Sequence, residues 1–296
     1  MSLTALQKGL VVASYGKRYG VELEDGTQIS CVTRGKKNDL ACGDQVDIKL
    51  TDKYEGVVEA LHERSSLLFR SNSFRTKTLA ANVTQVVIVL ATMPSFYEAL
   101  LNRCLIAAEA AGIKVLIVLN KCDLKDPTST LAQLKTYQDL GYSVQALSAK
   151  QDIAPLKAWL KHQVSVLVGQ SGMGKSTIVN ALLPESMVRT QEISDVLDSG
   201  KHTTTAAHLY HLDSESDLID SPGLQEFGLN HLSLEQLEYA FIEFRPYLGK
   251  CRFNNCKHIH EPDCAVMNAV HAGKISATRL AAYQELSQEI DRPEYA

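Results

Sequence analysis

The sequence predicts an α/β protein organised around a doubly wound sheet, with a small β-barrel before the sheet and a helical metal-binding region after it. Five short β-like runs occupy the first part of the chain, apolar runs alternate with helical stretches in the middle, and only helical patterns follow. The predicted units are a barrel over residues 1–68, a linker over 69–79, a sheet domain over 80–230 and a helical domain over 231–296.

The five runs at the start are separated by turn residues such as Asp25-Gly26 and Cys42-Gly43-Asp44. Five strands in about sixty residues predict a small closed barrel. An oligonucleotide-binding (OB) barrel is the commonest solution of that size, and an SH3-like barrel produces a similar pattern. The runs begin at Gly9, Tyr19, Thr27, Gln45 and Glu55.

A basic and poorly periodic stretch, Arg70 to Lys77, follows the barrel and is most simply a linker. Together with the basic turn Arg34-Gly-Lys-Lys37, it offers positive charges to the phosphates of an RNA. The same charges are equally typical of a solvated protein face.

The pattern changes at Gln85, where an almost entirely apolar run to Ala91 indicates a parallel strand covered on both faces. A helix is predicted from about Phe96 to Ala111, with Gly112 as its C-cap. The next predicted elements are the strand Lys114 to Leu119, the helix Leu131 to Leu140, the strand Ser143 to Leu147, the helix Ile153 to Lys161 and the strand Val164 to Val168.

Three helical segments are predicted after residue 230. The first begins at Ser233, because Ser233-Leu-Glu-Gln236 has the pattern of a capping box. The others begin near Pro262 and near Ser276.

Composition narrows the functional classes. The net charge is −4 over 296 residues and 22% are charged, which argues against wholesale nucleic-acid binding and against disorder. The first residues lack a signal-peptide pattern, and the longest apolar run is too short for a bilayer. Seven cysteines, three of them crowded near the C-terminus, suit a reducing compartment and one metal site. We therefore expect a cytoplasmic protein without membrane contact. We also expect it to act as a monomer.

A phosphate-binding loop is predicted directly after the strand Val164 to Val168. Gly169-Gln-Ser-Gly-Met-Gly-Lys175-Ser176 fits G-x-x-x-x-G-K-[ST] and opens a helix, whose N-terminus favours anions. Lys175 should reach the β- and γ-phosphates as a catalytic cation, and the Ser176 hydroxyl should bind Mg²⁺. The predicted contacts are Gly169, Gln170, Ser171, Gly172, Met173, Gly174, Lys175, Ser176 and Thr177.

Guanine is favoured by a second motif, Asn120-Lys121-Cys122-Asp123, at the end of a buried strand. The Asp123 carboxylate can accept both the N1–H and the exocyclic N2–H₂ of guanine, which adenine does not offer. Asn120 should tie this loop to neighbouring backbone, and Lys121 should lie against the base. Ser148-Ala149-Lys150 should present the Ala149 N–H to guanine O6.

Two segments have the character of γ-phosphate sensors. Asp220-Ser-Pro-Gly223 fits D-x-x-G, so Asp220 should hold Mg²⁺ through water and the Gly223 N–H should bond the γ-phosphate. One of Thr203, Thr204 and Thr205 should bind Mg²⁺, with Thr204 as the candidate. Taken alone, the D-x-x-G motif is also typical of a plain turn. The threonine run alone is also typical of an edge β-strand.

The residue after Gly223 is Leu224, where Ras-type enzymes carry a glutamine that orients water, so intrinsic hydrolysis should be slow. His202, beside the threonine run, is the candidate for positioning water when a partner orders the segment. The alternative interpretation is that His202 is a solvated loop residue or a phosphate-backbone contact.

The motifs occur in an unusual order, because the base-recognition segments precede the P-loop. The same sheet can form if the usual termini are joined and the chain is opened elsewhere, since domain termini are often neighbours at the surface. We therefore predict a circularly permuted P-loop GTPase domain, in which the segment Asp220 to Gly223 leads directly into the C-terminal region.

This order, with Gly169-Gln-Ser-Gly-Met-Gly-Lys-Ser176, His202-Thr-Thr-Thr205, Asp220-Ser-Pro-Gly-Leu224 and the C-terminal cysteine cluster, closely resembles the bacterial ribosome small subunit-dependent GTPase A family (RsgA, also called YjeQ or YloQ). The resemblance covers nearly the whole chain. It implies an N-terminal OB barrel, a permuted GTPase domain and a C-terminal zinc domain. It also implies hydrolysis of GTP to GDP and phosphate, stimulated by the small ribosomal subunit and its rRNA, late in that subunit's maturation.

The cysteine cluster places Cys251, Cys256, Cys264 and two histidines within fourteen residues. Three thiolates and one imidazole suit tetrahedral Zn²⁺. The family pattern favours His258 as the fourth ligand, with His260 in reserve. We expect one structural zinc whose loss unfolds the C-terminal region. The spacing is not that of a standard zinc finger, and unligated thiols are the alternative.

Three functions fit these motifs to different degrees. The first is an RNA-associated regulatory GTPase, in which the barrel and the zinc region contact RNA. The second is a metabolic P-loop kinase. The guanine motif and the two γ-phosphate sensor segments argue against it. The third is a GTP-dependent RNA-binding clamp with little turnover, which Leu224 permits.

Overall fold

The computed structural model of the chain describes residues 5–34, 40–72, 75–184, 207–221 and 229–291. Within these ranges eleven strands form one continuous sheet and two more form a separate hairpin. None of the helices found there combines the length and the apolar composition that crossing a bilayer requires.

The first five strands close into the predicted barrel. They follow the order β1-β2-β3-β5-β4, and β4 pairs back with β1. The β3–β5 pair is parallel and the other pairs are antiparallel. This topology is that of an OB barrel and decides between the two barrel types. The strands are β1 (Leu6–Ser14), β2 (Tyr19–Leu23), β3 (Gln28–Thr33), β4 (Gln45–Leu50) and β5 (Glu55–Leu61).

Alternation of apolar and polar residues fills the barrel. In β3, Ile29 and Cys31 point inward and are buried, while their neighbours are exposed. They pack with Val21, Val46 and Ile48 in one apolar cluster. Each strand therefore contributes one face to a common core.

The segment predicted as a linker is instead a β-hairpin, which corrects the interpretation of residues 69–79. Strand β6 (Leu67–Asn72) pairs antiparallel with β7 (Arg75–Ala81). Main-chain pairing requires no apolar alternation in the middle of the hairpin, so the polar sequence gave little sign of it. The two ends are anchored in the core by buried side chains, among them Leu68 and Leu79.

The predicted doubly wound sheet forms the middle of the chain, in the order β10-β9-β8-β11-β13-β12. All these pairs are parallel except β12–β13. The strands are β8 (Gln85–Ala91), β9 (Lys114–Asn120), β10 (Ser143–Ala146), β11 (Val164–Val168), β12 (Ala207–His211) and β13 (Asp217–Asp220).

Helices cover both faces of this sheet. Side chains of β8 alternate between two apolar clusters, with Ile88 in the cluster that includes α1 and α2 and Val89 in the cluster that includes α3 and α4. This explains why β8 is buried throughout. The helices are α1 (Glu98–Ala110), α2 (Thr128–Asp139), α3 (Ala154–Leu160) and α4 (Lys175–Leu182).

Strand β12 was not predicted, and it joins the barrel to the sheet. It lies between β13 and the barrel strand β1, with Ala13 opposite His208 and Ser14 opposite Ala207. The barrel and the sheet domain therefore share one hydrogen-bonded ladder rather than meeting through side chains alone.

The C-terminal region consists of helices α5 (Leu234–Ala240), α6 (Ala265–His271) and α7 (Ala277–Ile290), with a short 3₁₀ turn at Arg245–Tyr247. Helix α5 begins with the predicted capping box, in which Ser233 and Gln236 bond reciprocally.

The C-terminal helices are held on α1 by buried polar contacts. The Arg279 guanidinium is 1% exposed, and it donates to both carboxylate oxygens of Glu243 and to Asn102 Oδ1 on α1. Arg103 on α1 also pairs with Glu289 on α7. Because a buried charge is costly unless it is paired, this network specifies how the region docks.

Candidate functional site

The P-loop connects β11 to α4, as the sequence predicts. Gly169 and Gly174 have positive φ angles of 146° and 96°. A Cβ atom at Gly169 would lie 2.4 Å from the Val89 carbonyl oxygen, and one at Gly174 would lie 2.4 Å from Asn120 Nδ2. Both positions therefore require glycine for space and for conformation.

Lys175 begins α4 and turns its ammonium back over the loop. Its Nζ donates to the carbonyl oxygens of Gly169 at 2.7 Å and Gln170 at 3.1 Å. Burial lowers the pKa of Lys175, and the charge of Asp220 opposes that shift. A cation thus lies where the P-loop would hold phosphate, next to the exposed Ser176 and the half-buried Thr177.

Asp220 ends β13 beside the P-loop strand. Its backbone is paired with that of Leu167 on β11, two residues before Gly169. Asp220 is only 6% exposed. The following residue, Ser221, donates its hydroxyl proton to the Leu167 carbonyl oxygen at 2.7 Å. This bond fixes the start of the D-x-x-G segment against the P-loop strand.

Asn120 holds three loops together. Its Nδ2 donates to the Met173 carbonyl oxygen in the P-loop at 3.1 Å, and its Oδ1 accepts from the Ala149 N–H at 3.0 Å. The side chain is 2% exposed. The Ala149 N–H is predicted to bond guanine O6, but here it donates to Asn120. Binding O6 therefore requires that this hydrogen bond be shared or broken.

Lys121 has a positive φ of 61° and points toward the P-loop. Its ammonium donates to the Gly172 carbonyl oxygen at 2.5 Å and to the Met93 carbonyl oxygen at 3.1 Å. The Thr92 hydroxyl donates to the Lys121 carbonyl oxygen at 2.6 Å. Sequence reasoning missed Thr92 and Met93, although their place after β8 puts them at the ligand-binding edge of the sheet.

The predicted base-reading residues lie together on the surface side of this assembly. Ser148 Oγ donates to Asp123 Oδ1 at 2.6 Å. The Cys122 N–H donates to the Leu147 carbonyl oxygen at 3.2 Å, which joins the two loops through their main chains. Asp123 and Lys150 are exposed, so the carboxylate is oriented by Ser148 and accessible to a base.

Several sequence-predicted residues lie outside the described ranges. They are His202, Thr203, Thr204, Thr205, Gly223 and Leu224.

The C-terminal cysteine cluster has the geometry of a metal centre. The ligand atoms of Cys251, Cys256, His258 and Cys264 all lie within 4.8 Å of one another. His258 Nδ1 is 3.2 Å from the Cys264 sulfur and 3.5 Å from the Cys256 sulfur. For Zn–S bonds of about 2.3 Å, a tetrahedron has sulfur–sulfur edges of about 3.8 Å. The Cys251–Cys264 sulfur distance is 3.9 Å.

Neighbouring groups support this cluster. The Met267 N–H points at the Cys264 sulfur, and His258 Nε2 faces Glu238 at 3.7 Å. Glu261 accepts from the N–H groups of Lys257 and Ile259 at 2.8 Å each. Burial raises the pKa of Glu261, but such main-chain donors lower it to about 2. His260 is exposed and is not part of the cluster.

Comparison with known proteins decides the family. The sequence profile described as "RsgA GTPase" matches residues 61–230, which is more than half of the chain. The chain belongs to the RsgA GTPase family. It is therefore a GTP hydrolase with circularly permuted motifs, and the resemblance inferred from those motifs is confirmed.

Two curated members of the RsgA family, both named small ribosomal subunit biogenesis GTPase RsgA, illustrate the relationship. The protein of Nitrosospira multiformis is 51% identical over 280 residues, covering 94% of this chain and 90% of that protein. The protein of Nitrosomonas europaea is 49% identical over 282 residues, with coverage of 94% and 90%.

Solved structures of the RsgA family agree with the fold. The crystal structure of YjeQ from Thermotoga maritima has a TM-score of 0.74 at 29% identity, covering 98% of this chain and 100% of that one. YloQ, described as a circularly permuted GTPase, has a TM-score of 0.69 at 28% identity and covers 98% of each chain.

Proposed function

We propose that this RsgA-family GTPase acts in the cytoplasm on the small ribosomal subunit, late in its maturation, and hydrolyses GTP there at a rate that the subunit stimulates. The observation that carries the nucleotide part is the double hydrogen bond of Asn120, which joins the guanine loop to the P-loop and to the Ser148–Lys150 segment. The small-subunit part is supported by the names of the relatives.

In this proposal the two ends of the nucleotide are bound by different groups. The carboxylate of Asp123, oriented by Ser148, reads guanine, and Lys121 lies along the base. The P-loop amides and Lys175 bind the phosphates, so the Lys175 ammonium exchanges its carbonyl partners for phosphate oxygens.

The Mg²⁺ that accompanies GTP would be held by Ser176, by Asp220 through water and by Thr204, and the Gly223 N–H would bond the γ-phosphate. Mg²⁺ and Lys175 would neutralise the charge that develops on the phosphates. His202 would position the attacking water when the small subunit is bound. Since Leu224 cannot take that role, hydrolysis without the subunit is slow.

We also propose that Cys251, Cys256, His258 and Cys264 bind one Zn²⁺. Three thiols and an imidazole nitrogen at tetrahedral edge distances fit this ion, and four protein ligands leave no open position for catalysis. The zinc would therefore hold the long irregular loop before α6 and stabilise the C-terminal region.

We propose the following domain boundaries. A barrel over 1–68, a connecting segment over 69–79 that contains most of the β6–β7 hairpin, a GTPase domain over 80–230 and a zinc domain over 231–296 would form one monomer. Limited proteolysis and light scattering test these boundaries and the monomeric state.

Steady-state GTP hydrolysis by the purified protein tests the function. It is measured alone and with small ribosomal subunits, large subunits or bulk RNA. Stimulation by small subunits only is the expected result. Equal rates in every mixture would remove the small-subunit assignment, and GTP-dependent RNA binding without turnover would favour a clamp.

A further inference from the structure

The barrel and the nucleotide site are connected by a single row of paired residues. Ala13 at the end of β1 lies opposite His208 on β12. His208 lies opposite Asp220 on β13, and Asp220 lies opposite Leu167 on the P-loop strand. Because neighbouring strands are about 4.8 Å apart, the barrel backbone lies about 10 Å from that of Asp220.

The start of β12 is held by three barrel contacts. Ser14 pairs with Ala207, and the buried thiol of Cys42 donates to the Ala207 carbonyl oxygen at 3.1 Å. The ring of Tyr15 packs edge-on against the His208 ring, with 5.5 Å between centroids. A shift of the β1–β2 turn would therefore displace the residues that pair with Asp220.

The other end of β12 is bridged to the barrel by His211. Its Nε2 lies 2.9 Å from Glu22 Oε1 on β2, and its Nδ1 lies 2.6 Å from Asp217 Oδ1 on β13. Since both ring nitrogens face carboxylate oxygens, an imidazolium with a proton on each nitrogen satisfies both contacts. The main-chain pairing of β1 with β12 ends at Ala13 and His208. Beyond that point, the His211 side chain reaches past β1 to Glu22 on β2.

We propose that the barrel positions the β12–β13 hairpin, and with it Asp220, so that small-subunit contacts on the barrel change the rate of GTP hydrolysis. His211 and Glu22 are positioning residues in this coupling, because they fasten the hairpin to the barrel without lying at the nucleotide site. This inference rests on the proposed function for its biological signal. The coupling itself is a property of the chain.

The first experiment compares wild type with Glu22→Gln and His211→Gln in GTP hydrolysis, with and without small subunits. Both variants should keep their basal rate and their affinity for small subunits, while stimulation falls by about fivefold or more, the lower end of typical coupling between sites. Glu55→Gln is the matched control, since Glu55 pairs with Arg18 of the barrel itself, on its exposed surface, and does not contact β12. It should be stimulated like wild type.

The second experiment measures hydrogen exchange in peptides from β1 and from β12–β13, with and without Mg²⁺ and a non-hydrolysable GTP analogue. Bound nucleotide should slow exchange in β1 of wild type and Glu55→Gln, and it should do so much less in Glu22→Gln. This readout requires no ribosome and is not moved by a loss of stability that is equal with and without nucleotide.

The outcomes separate the two proposals. Absence of stimulation in wild type would overturn the proposed function, while nucleotide-dependent protection of β1 would still support the coupling. Stimulation that is equal in wild type, Glu22→Gln and His211→Gln would overturn the coupling alone. Unchanged β1 exchange in wild type on nucleotide binding would also overturn it.

Discussion

Ser148 Oγ donates to Asp123 Oδ1 at 2.6 Å, so the hydroxyl that follows one strand orients the carboxylate that follows its neighbour. This bond leaves the exposed carboxylate directed by the protein rather than free to rotate. The base-reading role of Asp123 can therefore be tested by replacing one carboxylate oxygen with an amide nitrogen.

Asp123→Asn should exchange guanine preference for xanthine preference, because the new amide donates to the xanthine carbonyl at the position of the guanine amino group. Losing a charged hydrogen bond costs about 1.5–3 kcal/mol, so GTP should bind about tenfold to a hundredfold more weakly. Titration calorimetry with GTP and XTP measures both. Asp126→Asn, nearby in the same loop, should change neither affinity, and unchanged GTP binding by Asp123→Asn would defeat the assignment.

Gly174→Ala should weaken GTP binding, because the P-loop can no longer pack against Asn120. The added Cβ would lie 2.4 Å from Asn120 Nδ2 at a φ of 96°, and every 1.4 kcal/mol lost weakens binding about tenfold. The control is Gly141→Ala, with a φ of 98° and nothing within 4 Å. The control should lose about 1–2 kcal/mol of stability through backbone strain and keep its GTP affinity. Equal affinities would argue against the steric explanation.

Metal removal should unfold the C-terminal region. Structural zinc contributes about 10–16 kcal/mol in small zinc domains, which matches or exceeds the whole stability of an ordinary domain. Elemental analysis should find one zinc per chain, and Cys264→Ser should lower that content and raise exchange in α6 and α7. Cys122→Ser, a cysteine outside the cluster, should keep its zinc. Full folding in a strong chelator would contradict a structural zinc.

His211 should make stability depend on pH. Burial lowers its pKa, but the hydrogen bonds and charges of Asp217 and Glu22 outweigh burial and raise it overall. A raised pKa means that the stabilisation is complete below the ordinary value of about 6.5 and is lost as pH rises through the folded-state value. Melting curves should show His211→Gln less stable than wild type at pH 5.5, with the gap closing as pH rises. A gap that widens with pH would refute the bridge.

His202→Ala tests the candidate water-positioning residue. GTP binding should remain intact, because no phosphate or base contact is assigned to this side chain, while stimulation by small subunits should disappear. Fluorescent-nucleotide binding and multiple-turnover kinetics separate these effects. Retained stimulation would return His202 to the role of a solvated loop residue.

Much of the candidate site was readable from spacing. The P-loop, the Asn120–Asp123 loop and the cysteine cluster are local motifs whose chemistry is fixed by residue type and by a neighbouring strand or helix. The strand Val164–Val168 was predicted with its observed bounds, and the Ser233–Gln236 capping box is confirmed. Such features depend on contacts between near neighbours in sequence, which a pattern can reveal.

The remaining features depend on partners distant in sequence. Residues 69–79 look like a linker because their pairing is through the main chain, and β12 is too short and polar to predict without β1 and β13 beside it. The docking of Arg279 on Asn102 across 177 residues follows the same rule.

The sequence by itself therefore determined the nucleotide, the likeness to permuted GTPases and the composition of the metal cluster. These features depend on residue types that lie close together in the sequence. Tertiary structure alone decided that the barrel continues into the GTPase sheet through Ala13 and His208. The physical reason is that every residue except proline offers the same backbone donor and acceptor, so pairing between strands does not depend on residue type. Which strands meet is settled only when the apolar faces of the whole chain are buried together.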